Sequence, residues 1–594
     1  MVIGVWVGVL NMSPVCASPF LVAVGVSCAL LASALAEFQI EITPVFRGHG
    51  LGSDGLTMST DAGEEISFSR FDFLVSQLAL QRASDGEWIE AEGWHGFVSY
   101  GKGRTLLPLG GNLNERVSRI RFQIGVDPET NAADPNKHPA DHALNPQVNG
   151  LHWGWQGGYV FMAIEGHHAD GGFSYHLAND AHPMMVELPI ALEGSREKTL
   201  RLQVDLAKIL QGLSIVKDSD STHSREKDSL AERLKQNVPQ AFEVMGTSTD
   251  SYHPIAALDP VAPEHGTPLA LRVTKRFPQV ALPKDNPLTV EGVRLGERLF
   301  HDPRLSKGNA QSCASCHQQS HAFTDPNTRF SVGVNGDAGM RNAMPLFNLA
   351  WKKAFFWDGR VKSLREQVLE PIQDAHEMNE ALPAVVAKLQ ADADYSALTE
   401  AAFGTRSITA EHVAKGLEQF LQTLISQDSK FDRAARREVA FTDEEKRGFQ
   451  LFVTEFDPKN NLRGADCFHC HGGNLFTNHD FANNGLDATF ADLGLGKVTD
   501  KPEDAGKFAT PSMRNVAVTG PYMHDGRFAT LEEVVEHYNS GMKRSATLDP
   551  NLAKHPDAGL ELSADDKHAL IAFLRTLTDE AFLQPKKKDF LRQK

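Results

Sequence analysis

Two short runs, Cys313-Ala-Ser-Cys316-His317 and Cys467-Phe-His-Cys470-His471, constrain this chain more than any other feature. In a C-x-x-C-H run the thiols form thioether links to the vinyl groups of a haem, and the histidine becomes the proximal ligand of its iron. The chain is therefore expected to fold around two covalent c-type haems. Cys313, Cys316 and His317 hold the first; Cys467, Cys470 and His471 hold the second. A zinc or redox C-x-x-C pair is the competing reading, but it leaves the adjacent histidine unexplained in both runs. The other two of the six cysteines, Cys16 and Cys28, fall in an apolar leader.

That leader contains no Lys or Arg and closes with the apolar run from Phe20 to Ala36, ending Ala34-Leu35-Ala36. It predicts a signal peptide over 1–36 and an exported, periplasmic protein; the missing basic segment leaves a wrongly chosen start codon or an uncleaved anchor as alternatives. No later stretch is apolar enough to span a bilayer. At 594 residues the chain exceeds one core, so three or four domains are expected. The formal charge of −17 argues against nucleic acid as a partner; it suits basic protein partners, or simply solubility.

Residues 38 to about 210 alternate apolar and polar positions. Ile66/Phe68, Phe71/Phe73/Val75, Ile120/Phe122/Ile124/Val126, Tyr159/Phe161/Ala163 and Leu200/Leu202/Val204/Leu206 each line one strand face. Residues 224–243 add one helix, and 246–286, rich in Pro, Thr, Asp and His, reads as a linker. From Thr289 the period becomes helical, with stripes at Val413, Leu417, Phe420, Leu421, Leu424 and at Leu570, Phe573, Leu574, Leu577. Thr442 with Glu445 and Ser563 with Asp566 mark helix starts. Gly296-x-x-Leu299-Phe300 precedes the first haem run as Gly448-x-x-Leu451-Phe452 precedes the second, a duplication. The expected fold is multidomain: a mainly β, sandwich-like N-terminal domain over 37–245, a linker over 246–286, and two all-α cytochrome-c-like haem domains over 287–440 and 441–594.

What separates an electron carrier from an enzyme is the second axial position, since peroxide chemistry needs one haem open on its distal side with an acid/base group above it. Here the segment from about 270 to 585 resembles the bacterial di-haem cytochrome c peroxidase and MauG family. The residues that carry the resemblance are Trp357-Asp358-Gly359-Arg360, then Gln367, Pro371 and Glu377, then Thr519-Gly-Pro521-Tyr-Met-His524-Asp-Gly. It implies that Gln367, Pro371 and Glu377 line the distal pocket of the first haem, with Glu377 moving the peroxide proton. It also implies that Trp357 relays electrons between the haems, and that Asn342 with the carbonyls of Thr519 and Pro521 holds a calcium ion, a hard cation suited to oxygen donors. In the peroxidases a methionine lies fourteen residues after the histidine matching His524; in MauG-like enzymes that place holds tyrosine, and here it is Tyr538. A phenolate is a hard ligand favouring oxidised iron, where a thioether favours the reduced state. Met523 and Met542 are fallback ligands. Without the resemblance, Glu377 reads as a surface carboxylate and Trp357 as a core aromatic.

Residues 38–245 resemble the MbnP family, copper-binding partners of MauG-like MbnH enzymes. Phe71-Asp-Phe73 through Leu80, His152-Trp153-Gly154-Trp155-Gln-Gly-Gly158-Tyr159, Tyr175-His176 and Thr222-His223-Ser224 carry this likeness. In that partnership the di-haem enzyme converts a tryptophan of the copper protein to kynurenine, so this chain looks like both partners fused. Imidazole suits copper, and His152, His176 and His223 are the candidate ligands, with His49 and His168 behind them. Trp153 and Trp155 are the candidate modified residues; as plain residues they read equally as core aromatics.

The expectation is thus a di-haem enzyme that uses hydrogen peroxide to oxidise a tryptophan of its own N-terminal domain. Two alternatives stay open: a di-haem peroxidase taking electrons from a small cytochrome or cupredoxin, and a copper-binding protein whose haem half only transfers electrons.

Overall fold

The computed structural model describes the chain outside residues 1–37, 52–57, 110–114, 154–157, 170, 180–182, 193–198, 225–227, 249–262, 281, 327, 458–461, 556–558 and 585–594. The expected leader and Trp155 lie outside the described residues.

The alternating segments of the N-terminal half form two sheets. One runs in the order Met184–Leu192, Val117–Ile124, Glu65–Arg82, Val160–His168, Gly171–Ala178, Ser221–Thr222. The other is built on Gln39–Phe46, parallel to Thr199–Asp205 with Ile40 opposite Leu200 and Ile42 opposite Leu202; Phe242–Ser248 lies beyond. Phe242 inserts edge-on between Phe73 (6.1 Å) and Phe122 (5.4 Å), so aromatic contacts tie one sheet to the other across the core. Ile66/Phe68 and Phe71/Phe73/Val75 prove to be one strand, Glu65–Arg82, rather than two. The two sets differ in parity, and the register shift between Phe68 and Arg70 against Val160–His168 absorbs the extra residue, which lets both sets face inward. The helix expected over 224–243 is shorter, Ser229–Asn237, started by the Asp228 cap and followed by a single 3-10 turn at Pro239.

The duplicated glycines have a shared physical cause. Val290–Phe300 crosses Ala410–Gln422 at Gly296, where a Cβ would stand 1.9 Å from the Gly416 carbonyl oxygen. Asp443–Val453 crosses Ala564–Arg575 at Gly448, where a Cβ would stand 1.9 Å from the Ala569 oxygen. Phe300 then packs on Phe420 at 5.3 Å as Phe452 packs on Phe573 at 5.2 Å. Both sequence-predicted start signals are present, as capping boxes at Thr442/Glu445 and Ser563/Asp566. Gly448→Ala is therefore expected to push two helices apart and cost about 1–3 kcal/mol, read as a lower Tm of the haem-loaded protein. An unchanged Tm would mean that the backbone contact does not hold this crossing.

The β half docks on the region around the second haem run. Gly172 abuts the short helix Pro550–Ala553 so closely that a Cβ would stand 2.2 Å from the Pro550 oxygen. His167 Nε2 donates to the Leu548 carbonyl at 2.6 Å, and Ser221 Oγ donates to Glu455 at 2.6 Å. Among the described residues no helix is long and apolar enough to cross a membrane.

Candidate functional site

Each C-x-x-C-H run forms one helical turn, Cys313–Cys316 and Phe468–His471, and the two thiols of each are free rather than disulfide-bonded. His317 donates from Nδ1 to the Phe323 carbonyl at 2.7 Å, and His471 from Nδ1 to the Pro511 carbonyl at 3.1 Å. Both imidazoles are thereby fixed with Nε2 as the remaining nitrogen, the arrangement a proximal iron ligand requires. Burial holds His471 down to about 4, hence neutral and ready to ligate. Free thiols beside an oriented imidazole fit a covalent haem in both places.

Beyond the first run, Gln367 ends the turn Leu364–Gln367, Pro371 lies in Glu370–Gln373, and Glu377 follows on a loop. The loop is pinned: Met378 N–H donates to the Pro371 carbonyl at 3.1 Å, and Val334 N–H to the Glu377 carbonyl at 2.8 Å. Gly333 permits the second contact, since a Cβ there would stand 2.1 Å from the His376 oxygen. Glu377 borders open space, yet the surrounding protein desolvates its carboxyl and raises it to about 6, with Asp374 adding and Arg360 opposing. Its charge contributes a small part of the rise in the Cys313 and Cys316 thiols.

Trp357 is buried where the first helical core meets the second. Its Nε1 donates to the Asn342 carbonyl at 2.8 Å, while its own carbonyl accepts from Ala509 N–H, two residues before the Pro511 that holds His471. Asn342 Nδ2 donates to the carbonyls of Thr328 and Arg329, and its backbone N–H donates to His524 O. Thr519 and Pro521 lie on the loop leading to His524.

Tyr538 sits in a π-helical turn, His537–Gly541, of the kind that recurs at functional positions. Tyr538 is partly buried, and desolvation raises its hydroxyl pKa, with the nearby Cys470 and Cys467 adding to the rise and the Asn484 amide opposing it. Asn484 Nδ2 donates to it at 3.4 Å and reaches Met523 Sδ at 3.3 Å, so one amide touches both candidate ligands.

The structure brings His176 and His223 together: His176 Nδ1 and His223 Nε2 are 3.1 Å apart. A third imidazole joins them, His469 from inside the second haem run, with one nitrogen from each of the three lying within 4.8 Å of the others. Each ring is also backed by a buried carboxylate. His176 Nε2 donates to Glu165 at 2.8 Å, His223 Nδ1 stands 2.8 Å from Glu455, and His469 Nε2 stands 2.9 Å from Asp466. His152 is not part of this group; its ring meets Tyr159 edge-on at 4.7 Å. His49 is exposed on the strand His49–Gly50, and His168 ends the strand Val160–His168. Trp153 stacks on His223 with ring centroids 5.9 Å apart and planes 27° from parallel.

Sequence reasoning missed His469, Glu165, Glu455 and Asp466. His469 was visible as an extra histidine within Cys467-Phe-His-Cys470-His471, but a position already explained by haem attachment conceals a second role. The three carboxylates looked like any solvated acid, because nothing in the sequence reports that each is buried in the folded chain.

A family model described as "Di-haem cytochrome c peroxidase" matches residues 290–440, and the MbnP model matches 36–224. A protein named "Methylamine utilization protein MauG" from Methylorubrum extorquens is 40% identical over 316 residues, covering 52% of this chain and 85% of that protein. The "Cytochrome c peroxidase Ccp" of Escherichia coli is 32% identical over 330 residues, covering 54% of this chain and 63% of that protein. A solved MauG-like protein, described as associated with microbial copper homeostasis, is 33% identical, covers 54% of this chain and 98% of its own, and superposes with a TM-score of 0.49.

Proposed function

Because the chain belongs to the di-haem cytochrome c peroxidase/MauG family and carries an MbnP domain ahead of that region, we propose that it uses hydrogen peroxide to oxidise its own Trp153 to kynurenine in the periplasm. The haems, when bound, supply peroxide reduction and storage of the oxidising equivalents. Glu377 takes the proton from the bound peroxide and returns it to the departing oxygen. Gln367 orients the peroxide by hydrogen bonding, and Pro371 narrows the pocket against water. Trp357 carries electrons between the two haem sites along the Asn342 and Ala509 contacts. Tyr538 would ligate the iron of the second haem. Asn342 and the carbonyls of Thr519 and Pro521 would hold calcium, which would brace the junction beside Trp357. His176 and His223 would hold copper.

The conversion of tryptophan removes four electrons. Two peroxides each accept two, giving water and the ring-opened formyl derivative with two added oxygens; hydrolysis then releases formate and leaves kynurenine. One observation carries this reading: Trp153 stacks on His223, and His223 faces His469 of the second haem run at 5.2 Å, so the candidate substrate is next to the candidate oxidant. Trp153→Phe should lengthen the lifetime of the peroxide-oxidised absorption spectrum at least about tenfold, the factor equivalent to about 1.4 kcal/mol in barrier. An unchanged lifetime would remove Trp153 as the electron source.

A second reading, a peroxidase fed by a small electron-transfer protein, is favoured by Met523 standing against the same Asn484 amide as Tyr538. It requires thioether ligation of the second haem, and the ligand identity decides between the two.

The raised Glu377 carboxyl also sets a pH dependence. The base form is needed to accept the peroxide proton, so the rate of reaction with peroxide should rise with pH and level off above about 6. Stopped-flow rates from pH 5 to 8 check this; a flat profile would exclude Glu377 as the base.

A further inference from the structure

We propose that His176, His223 and His469 together form one copper site shared between the β half and the second haem run, with His469 as the ligand that ties the bound ion to the haem-bearing segment. This deepens the assignment of copper to the N-terminal domain and rests on it for the identity of the metal.

The geometry is that of a ligand set. Metal–nitrogen bonds of ~2 Å place ligand nitrogens ~3.3–3.6 Å apart around a trigonal or tetrahedral ion. His176 Nδ1 and His223 Nε2 are already 3.1 Å apart, and the third imidazole lies within the 4.8 Å outer bound. In all three rings the second nitrogen faces a carboxylate: Nε2 of His176, Nδ1 of His223 and Nε2 of His469. Carboxylate–histidine–metal relays of this form fix tautomer and ring orientation and raise ligand basicity. The nitrogens left over are Nδ1, Nε2 and Nδ1 respectively. Three imidazoles suit copper, and the side chains are only 5%, 7% and 4% exposed, so the site is closed to bulk water.

Charge gives an independent reason to expect a cation. Among the described residues, Glu165, Glu455, Asp466 and Asp72 are buried around the cluster and ion-paired with the cations Arg70 and Lys554. Buried carboxylates in excess of their cationic partners are costly, and a metal ion among the three rings offsets the excess. The same groups come from both sides of the junction: His176, His223, Glu165 and Arg70 from the β half, His469, Asp466, Glu455 and Lys554 from the haem half. Occupancy by copper therefore also clamps the two halves. His469 directly precedes Cys470, so the ion would lie one residue from a haem thioether.

The test uses the full, haem-loaded chain, purified copper-free, without peroxide. Cuprous ion is titrated against a chromogenic chelator, and the oxidised sample is read by EPR. The wild type is expected to bind one copper, to show three coupled nitrogens, and to show broadening of the second haem's EPR signal when cupric ion is present. With both haems retained, His469→Ala should lose one coupled nitrogen and at least the ~10–100-fold in affinity known for losing even an outer partner of a ligand. His152→Ala should bind as the wild type does. An unchanged affinity and nitrogen count in His469→Ala, or a wild type with no copper site because protons alone balance the charge, would overturn the proposal. If His469→Ala loads haem poorly, the broadening in the wild type decides: its absence places copper elsewhere. Copper at the three histidines with Trp153 never modified would sink the kynurenine reading alone; modified Trp153 with binding indifferent to His469 would sink this one alone.

Discussion

Glu377→Gln is expected to slow the reaction with peroxide by ~10²–10⁴-fold while both haems stay attached, the loss typical of removing a positioned proton shuttle. Glutamine keeps the size and hydrogen-bonding reach of the side chain, so peroxide should still enter; what disappears is a group that can take and return a proton. The local structure supports this separation. Backbone contacts from Pro371 to Met378 and from Val334 to Glu377 hold the loop, and the carboxylate is not among its fasteners. The stability effect has a definite sign. Glu377 is raised from 4.5 to about 6, so in the folded state its ionisation is disfavoured. Stability is therefore full below about 4.5 and falls as pH rises through about 6. The glutamine variant escapes that loss and should be at least as stable as the wild type at neutral pH. Stopped-flow absorption with peroxide measures the rate. Wild-type speed in Glu377→Gln would remove this residue from the mechanism.

Tyr538→Met is expected to raise the potential of the second haem by on the order of a few hundred mV, because axial ligands alone span about 0.8 V and a thioether stabilises reduced iron. The side chain is partly buried near Cys467 and Cys470, and a methionine of similar length can occupy the same space. The variant should hold both haems, lose the long-lived oxidised spectrum and behave as a peroxidase that needs an external reductant. Spectroelectrochemical titration reads the potential. An unchanged value would show that Tyr538 is not the ligand and turn attention to Met523, which shares the Asn484 amide.

Much of this was legible in the chain, for identifiable reasons. The haem runs are local: attachment chemistry needs five consecutive residues, and the structure adds only the carbonyls of Phe323 and Pro511 that orient the histidines. The duplicated Gly-x-x-Leu-Phe was readable because each glycine answers one steric demand, a helix crossing at backbone contact. Strand parity was readable in pieces, but joining Ile66/Phe68 to Phe71/Phe73 required a register shift that no periodicity reports. The histidine cluster was half legible. His176 and His223 followed from the MbnP resemblance; Asp466 and Glu455 lie with His469 in the haem half, and they meet His176, His223 and Glu165 where the strand Gly171–Ala178 packs on Pro550–Ala553. A site assembled by docking leaves no spacing in the sequence, and His152 attracted attention there because it adjoins Trp153, not because it faces the cluster.

The most direct measurement is the mass of the peptide spanning Asn149 to Tyr159 after peroxide treatment, comparing wild type, Trp153→Phe and a His317→Gly variant lacking the first proximal ligand. Kynurenine is expected at Trp153 in the wild type only, with formate released and two peroxides consumed per chain. An unmodified Trp153 in a wild-type sample whose haems demonstrably react with peroxide would contradict it.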